Sequence, residues 1–102
     1  MQELNEYFGK VHLFESDNTF GSAIIYLEPG KEIKNHHHKK MKEVEIILEG
    51  EVVCNGKIRK KGDILIWELN QDHDHRNLSN SITKILCITV PPYNPDDEYV
   101  MG

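Results

Sequence analysis

Gly30-Lys31-Glu32-Ile33-Lys34-Asn35-His36-His37-His38-Lys39-Lys40-Met41-Lys42-Glu43, continued by Val44-Glu45-Ile46-Ile47-Leu48-Glu49-Gly50, is the stretch on which the reading of the chain turns. His36 and His38 are two residues apart, so on an extended strand both imidazoles point to one face and His37 to the other. Glu43 stands a short turn further on, where a run rich in β-branched residues begins. Two ring nitrogens and one carboxylate oxygen suit manganese, iron, nickel, zinc or copper, whereas alkaline-earth ions want more oxygens. The competing reading is a solvated loop, since Lys39, Lys40 and Lys42 flank the triplet.

Spacing separates the two readings. Gly30, five residues, His36, one, His38, four, Glu43, six and Gly50 follow the first motif of the cupin family without a gap. The second cupin motif runs Gly, five residues, Pro, one, Gly, two, His, three, Asn. Gly62, His73 and Asn77 stand in that register, while Glu68 replaces the proline and Asn70 the glycine. Asn tolerates the left-handed backbone that a glycine would supply, so the departure touches the turn before His73 and not His73 itself. The chain therefore resembles a cupin from about Phe20 to Pro92. The resemblance implies an all-β fold, the double-stranded β-helix or jelly-roll barrel, with little or no helix. It also implies one divalent transition metal held by His36, His38, Glu43 and His73.

Length and charge narrow the classes. A chain of 102 residues is read as a single domain with one modest core, followed by an acidic, proline-rich tail over residues 93–102 that is either a strap or a flexible end. Its net charge of −5 and lack of a basic stripe argue against nucleic acid. No apolar run is long enough for a membrane span, and Met1-Gln2-Glu3-Leu4-Asn5-Glu6 does not read as a leader, so a cytoplasmic protein is expected. Cys54 and Cys87 lack Cys-x-x-Cys spacing and are expected to be buried free thiols.

Alternation predicts strands nearly throughout: Val11–Phe14, Thr19–Leu27, Val44–Leu48, Glu51–Cys54, Lys57–Arg59, Ile64–Trp67 and Thr83–Val90. Asn55-Gly56 is a type I′ hairpin signal. Glu49-Gly50 is expected to join Val44–Leu48 to Glu51–Cys54 as a pair, and Glu3–Lys10, broken by Gly9, to form at most one helical turn. Tyr26 is expected in the core. Periodicity alone leaves sandwich and barrel open.

Three neighbours of the motif residues carry alternatives. His75 shares a strand face with His73 and is read as a rim residue that could replace it. Glu45 shares a face with Glu43 and could stand in for it, or lie on an exposed face. Glu68 either adds a carboxylate to the site or is solvated at a strand end. The lysine cluster could draw an anionic substrate. The function expected is a metal-dependent enzyme acting on a polar small molecule, with a non-catalytic binding or sensor protein as the alternative. A homodimer is expected, with Val11–Phe14 as a candidate edge for exchange.

Overall fold

The computed structural model describes residues 1–101, and among them every regular element is a strand. In chain order these are β1 (Gln2–Glu6), β2 (Gly9–Leu13), β3 (Gly21–Leu27), β4 (Glu32–His37), β5 (Lys42–Glu49), β6 (Glu51–Cys54), β7 (Lys57–Lys60), β8 (Ile64–Trp67), β9 (His73–Arg76), β10 (Thr83–Val90) and β11 (Tyr99–Val100). They form a six-stranded sheet ordered β1-β2-β3-β10-β5-β8 and a five-stranded sheet ordered β11-β4-β9-β6-β7. All neighbours are antiparallel. This is the double-stranded β-helix that the motifs imply. Among the described residues there is no helix, and so none long and apolar enough to cross a membrane.

The strands alternate as half-buried strands should. In β10, Thr83, Ile85, Cys87 and Thr89 face inward and are buried, and the residues between them face out. The inward side chains of the two sheets meet in one core formed by Phe8, Leu27, Ile33, Ile47, Val52, Cys54, Leu65, Trp67 and Ile85. Both cysteines are buried and free, as expected.

The N-terminus departs from expectation. Glu3–Lys10 is not helical: β1 and β2 form a hairpin whose register runs from Gln2↔Leu13 to Glu6↔Gly9. Gly9 permits this, because a Cβ there would stand 2.0 Å from the Tyr26 carbonyl oxygen and its φ is +147°. The hairpin delivers Phe8 into the core, so the packed body begins well before Phe20. It also makes β1 the sheet edge, and Val11–Leu13, lying between β1 and β3, is not available for edge exchange.

The Glu49-Gly50 connection is also different. β5 and β6 belong to different sheets and do not pair. Gly50, at φ +82°, turns a corner so tight that a Cβ would meet Thr83 Oγ1 at 3.0 Å. The chain changes sheets there because Ile47 on β5 and Val52 on β6 must both reach the shared core. Asn55 and Gly56 have φ of 49° and 77°, the type I′ pattern, and join β6 to β7. Tyr26 is not in the core. It lies on the outer face of β3, 4.7 Å from the His12 ring and beneath the Lys84 ammonium.

The tail is a strap. β11 pairs with β4, and Asp97, only 2% exposed, accepts hydrogen bonds from three successive backbone amides, those of Lys39, Lys40 and Met41. Residue 102 lies outside the described residues.

Candidate functional site

A bulge in β4 sets the site. Strict alternation would place Ile33 and His36 on opposite faces, yet both are buried. The register of β4 on β9 shifts between Ile33 and His36, and the extra residue reverses the phase of the strand. One strand thus gives Ile33 to the core and then His36 and His38 to the interior beyond it. His37 faces out and contacts Asp72 at 3.0 Å. His73, on β9, is the cross-strand partner of His36. Asn70, which stands where the motif has glycine, has φ 64°, so it fills the left-handed position that the sequence assigns to it.

The four motif residues converge. One side-chain donor atom from each of His36, His38, Glu43 and His73 lies within 4.8 Å of all the others, and all four residues are buried. The three rings are oriented alike. Nδ1 of His36 donates to Lys34 O at 2.6 Å, that of His38 to Asp97 O at 2.6 Å, and that of His73 to Gln71 O at 3.1 Å. A carbonyl oxygen only accepts, so each Nδ1 carries the hydrogen and each Nε2 is left to present a lone pair. His73 is further fixed by stacking on Trp67, with centroids 4.8 Å apart and planes 7° from parallel.

This arrangement fits a cation. His38 Nε2 and His73 Nε2 lie 2.5 Å and 3.1 Å from the same Glu43 oxygen. The His38 atom is buried with no aligned hydrogen bond, so lone pairs face one another unless a proton or a metal ion stands between them. The electrostatics agree. Burial would lower His38, but the carboxylate of Glu43 beside it outweighs that and raises the imidazole to about 9. Burial pulls His36 down to about 4, helped by the neighbouring His73. Glu43 is pushed up by burial and brought below its ordinary value by its contacts with His38 and His73. The other Glu43 oxygen accepts from the Cys87 thiol at 3.0 Å, and burial, then the charge of Glu43, holds that thiol well above its usual range.

A second buried pair lies beside the first. His75 is not a rim residue: it is 1% exposed, and its Nε2 contacts the two Glu45 oxygens at 2.7 and 3.0 Å. Glu45, also 1% exposed, is on the inner face and also accepts from Trp67 Nε1. Burial would lower His75, but the charge of Glu45 raises it. The two-residue spacings Glu43/Glu45 and His73/His75 carried this placement, because equal parity puts each pair on one face.

Glu68 and the lysines stand elsewhere. Glu68 pairs with Lys42 at 3.3 Å on the surface, and Lys39 lies over the Tyr99 ring. Neither these groups nor Lys40 lines the cavity above the four residues. That cavity holds about 120 Å³ and is walled by apolar side chains such as Phe8, Val11, Leu13 and Ile25.

Relatives of the chain agree with this fold. It is 34% identical over 70 residues to the uncharacterized protein MJ1618 of Methanocaldococcus jannaschii, covering 65% of this chain and 56% of that protein. The chain thus spans about half the length of this curated relative. A Klebsiella pneumoniae protein with a double-stranded beta-helix domain superposes with a TM-score of 0.77 at 21% identity, covering 88% of this chain and 81% of that one. The Streptomyces nucleoside dehydratase Pac13 does so with a TM-score of 0.81 at 12% identity, over 98% and 83% of the two chains. At such identities these two likenesses concern the fold alone. The sequence model described as the Cupin domain matches residues 23–89, the span from β3 through most of β10, and the chain therefore belongs to the cupin family.

Proposed function

We propose that this protein binds one divalent transition metal through His36, His38, Glu43 and His73 and is a metal-dependent enzyme acting on a small polar molecule in the cavity above them. The carrying observation is that all three rings tie Nδ1 to a backbone carbonyl, that Nε2 of His38 and of His73 meet at one Glu43 oxygen, and that a donor atom of His36 lies within 4.8 Å of these. Manganese, iron, nickel, zinc and copper all accept such a donor set. When bound, an ion would supply Lewis acidity and leave room for a ligand oxygen. The protein's part is to hold the rings rigid and exclude bulk water: Trp67 backs His73, Cys87 holds one oxygen of Glu43, and the Asp97 strap fixes His38. Cupin-fold neighbours include a nucleoside dehydratase and an oxalate decarboxylase, so the fold admits catalysis. Metal analysis of untagged protein tests the reading. One ion per chain is expected in the wild type, with loss on changing any of the four residues to Ala. Wild-type protein that takes up no divalent ion after supplementation overturns it. A compound that binds and is recovered unchanged would favour the sensor alternative.

We also propose a homodimer formed through the outer face of the six-stranded sheet. Ile24, Leu86, Ile46, Ile64 and Ile66 lie on neighbouring strands of that face, and Ile64 and Ile66 are 60% and 54% exposed. The charged residues around them pair off as Lys10–Glu3, Lys42–Glu68 and Lys84–Glu49, so the face is neutral on a chain of net charge −5 and a second copy is not repelled. The strand residues of this sheet, at about 3.4 by 4.8 Å each, give roughly 600 Å², the lower end of the roughly 600–1,000 Å² per partner of a standard interface. Light scattering is expected to give twice the chain mass, falling to one chain mass in Ile66→Lys. A wild-type monomer at micromolar concentration refutes the proposal.

A further inference from the structure

The charge of the cavity wall is one-sided. Its ionisable residues besides histidine, cysteine and tyrosine are Glu6, Glu43, Glu45 and Glu98, and neither Lys nor Arg lines it among the described residues. Glu45 is paired with His75, so the two charges of a divalent ion in place would face the remaining three carboxylates, Glu43, Glu6 and Glu98. Glu6 and Glu98 are the exposed members and so mark the open end, and Glu98 Oε1 is 3.8 Å from His36 Nε2.

Two further groups belong to residues of the same wall. Thr89 and His75 line the cavity, and Thr89 Oγ1 and His75 Nδ1 are buried without a hydrogen-bond partner. A buried polar atom left unmatched costs roughly 1–3 kcal/mol, so both are poised for a polar group brought in from outside. Between these groups and the acidic end the wall is apolar, with Phe8, Val11, Leu13 and Ile25. An engineered apolar cavity of about 150 Å³ accepts benzene; at about 120 Å³, this one has room for a body of about five non-hydrogen atoms.

We infer that the cavity selects a small organic ammonium: a short apolar body with a hydroxyl or similar polar group directed to Thr89 and His75, and a protonated amine held between Glu6 and Glu98. Carboxylates and phosphates of the same size are turned away at the acidic end. The inference rests on the proposed function only in placing the ligand in this cavity, and it names the class that function would act on.

Three probes of one length isolate the outer charge: 5-aminopentan-1-ol, pentane-1,5-diol and 5-hydroxypentanoate. At pH 7 the amine is protonated, since a Lys ammonium titrates near about 10.4. Calorimetric titration of metal-supplemented protein is expected to show the amine binding about tenfold tighter than the carboxylate, with the diol between them. In Glu6→Gln/Glu98→Gln, both partly exposed positions, the amine is expected to fall to the affinity of the diol. Thr89→Val is expected to weaken all three probes alike. Tighter binding of 5-hydroxypentanoate, survival of the amine preference in the double variant, or no binding of any probe at millimolar concentration overturns the inference. Metal content measured in the same samples keeps the two readings apart. An amine preference retained without metal uptake upholds this inference and removes the proposed function, and metal uptake without the preference does the reverse.

Discussion

Changing Asp97 to Ala should loosen both the fold and the candidate site. The carboxylate accepts from the backbone amides of Lys39, Lys40 and Met41 at 3.0, 2.9 and 2.9 Å. Lys39 and Lys40 are exposed, so water can replace the lost acceptor at roughly 0.5–1 kcal/mol each. Met41 is 2% exposed, and its orphaned amide costs roughly 1–3 kcal/mol. The sum is about 3 kcal/mol, which for a chain of this size lowers Tm by about 12–24 °C. Asp97→Asn keeps one acceptor oxygen and should lose about half as much. Since the Asp97 carbonyl also holds His38 Nδ1, release of the strap should weaken zinc binding by about 10–100-fold, the usual effect of losing a partner that orients a ligand. Calorimetric melting and competitive zinc titration of the three proteins provide the assay. A Tm drop under about 4 °C in Asp97→Ala would show that the tail does not anchor the 39–41 turn, and the account of His38 positioning would fall with it.

Other expectations follow from single contacts. The Asp97 carboxyl is pushed up by burial but held below its usual 3.8 by the three amides. A carboxyl lowered on folding stabilises fully above its unfolded value and loses that contribution as pH falls through the folded one. The stability gap between wild type and Asp97→Asn should therefore be flat near neutrality and shrink below pH 3.8 in acid melts. Glu45→Gln breaks a buried pair with His75 and should cost about 3 kcal/mol, read by urea unfolding; a neutral result would show that the pair contributes nothing beyond packing. Cys87→Val removes the thiol that donates to Glu43 and should cost about 1–3 kcal/mol, with Cys87→Ser restoring most of it in the same assay. Gly9→Ala places a methyl 2.0 Å from the Tyr26 carbonyl and should lower stability by about 3 kcal/mol, whereas an unchanged melt would mean that the hairpin shifts freely.

What could be read beforehand followed parity and spacing. The motif intervals brought His36, His38, Glu43 and His73 together, and Asn70 took the left-handed backbone expected of it. Parity also put Glu45 with Glu43 and His75 with His73, but it cannot tell an inner face from an outer one. That choice came from the packing of two sheets, which buried both members of the second pair. The β4 bulge was hidden because Ile33-Lys34-Asn35-His36 alternates acceptably in either phase, and only pairing with β9 selects one. Sheet membership of β5 and β6 was misjudged for the same reason: a Gly turn between two β-branched runs looks alike whether the strands pair or part. Gly9 looked like a breaker, although its role is close backbone approach. The hold of Asp97 on three amides 56 to 58 residues away left no local trace.

The four donor atoms do not come from one layer. His36 and His73 belong to the five-stranded sheet, with His38 one residue past the end of β4, while Glu43 belongs to the six-stranded sheet. An ion seated among them would rivet the two sheets together, and occupancy and heat resistance would become two readings of one equilibrium. Ion at a hundred times its dissociation constant would add about 2.7 kcal/mol to the folded state. A cell short of that metal would then hold not only less of the loaded protein but a more easily unfolded one.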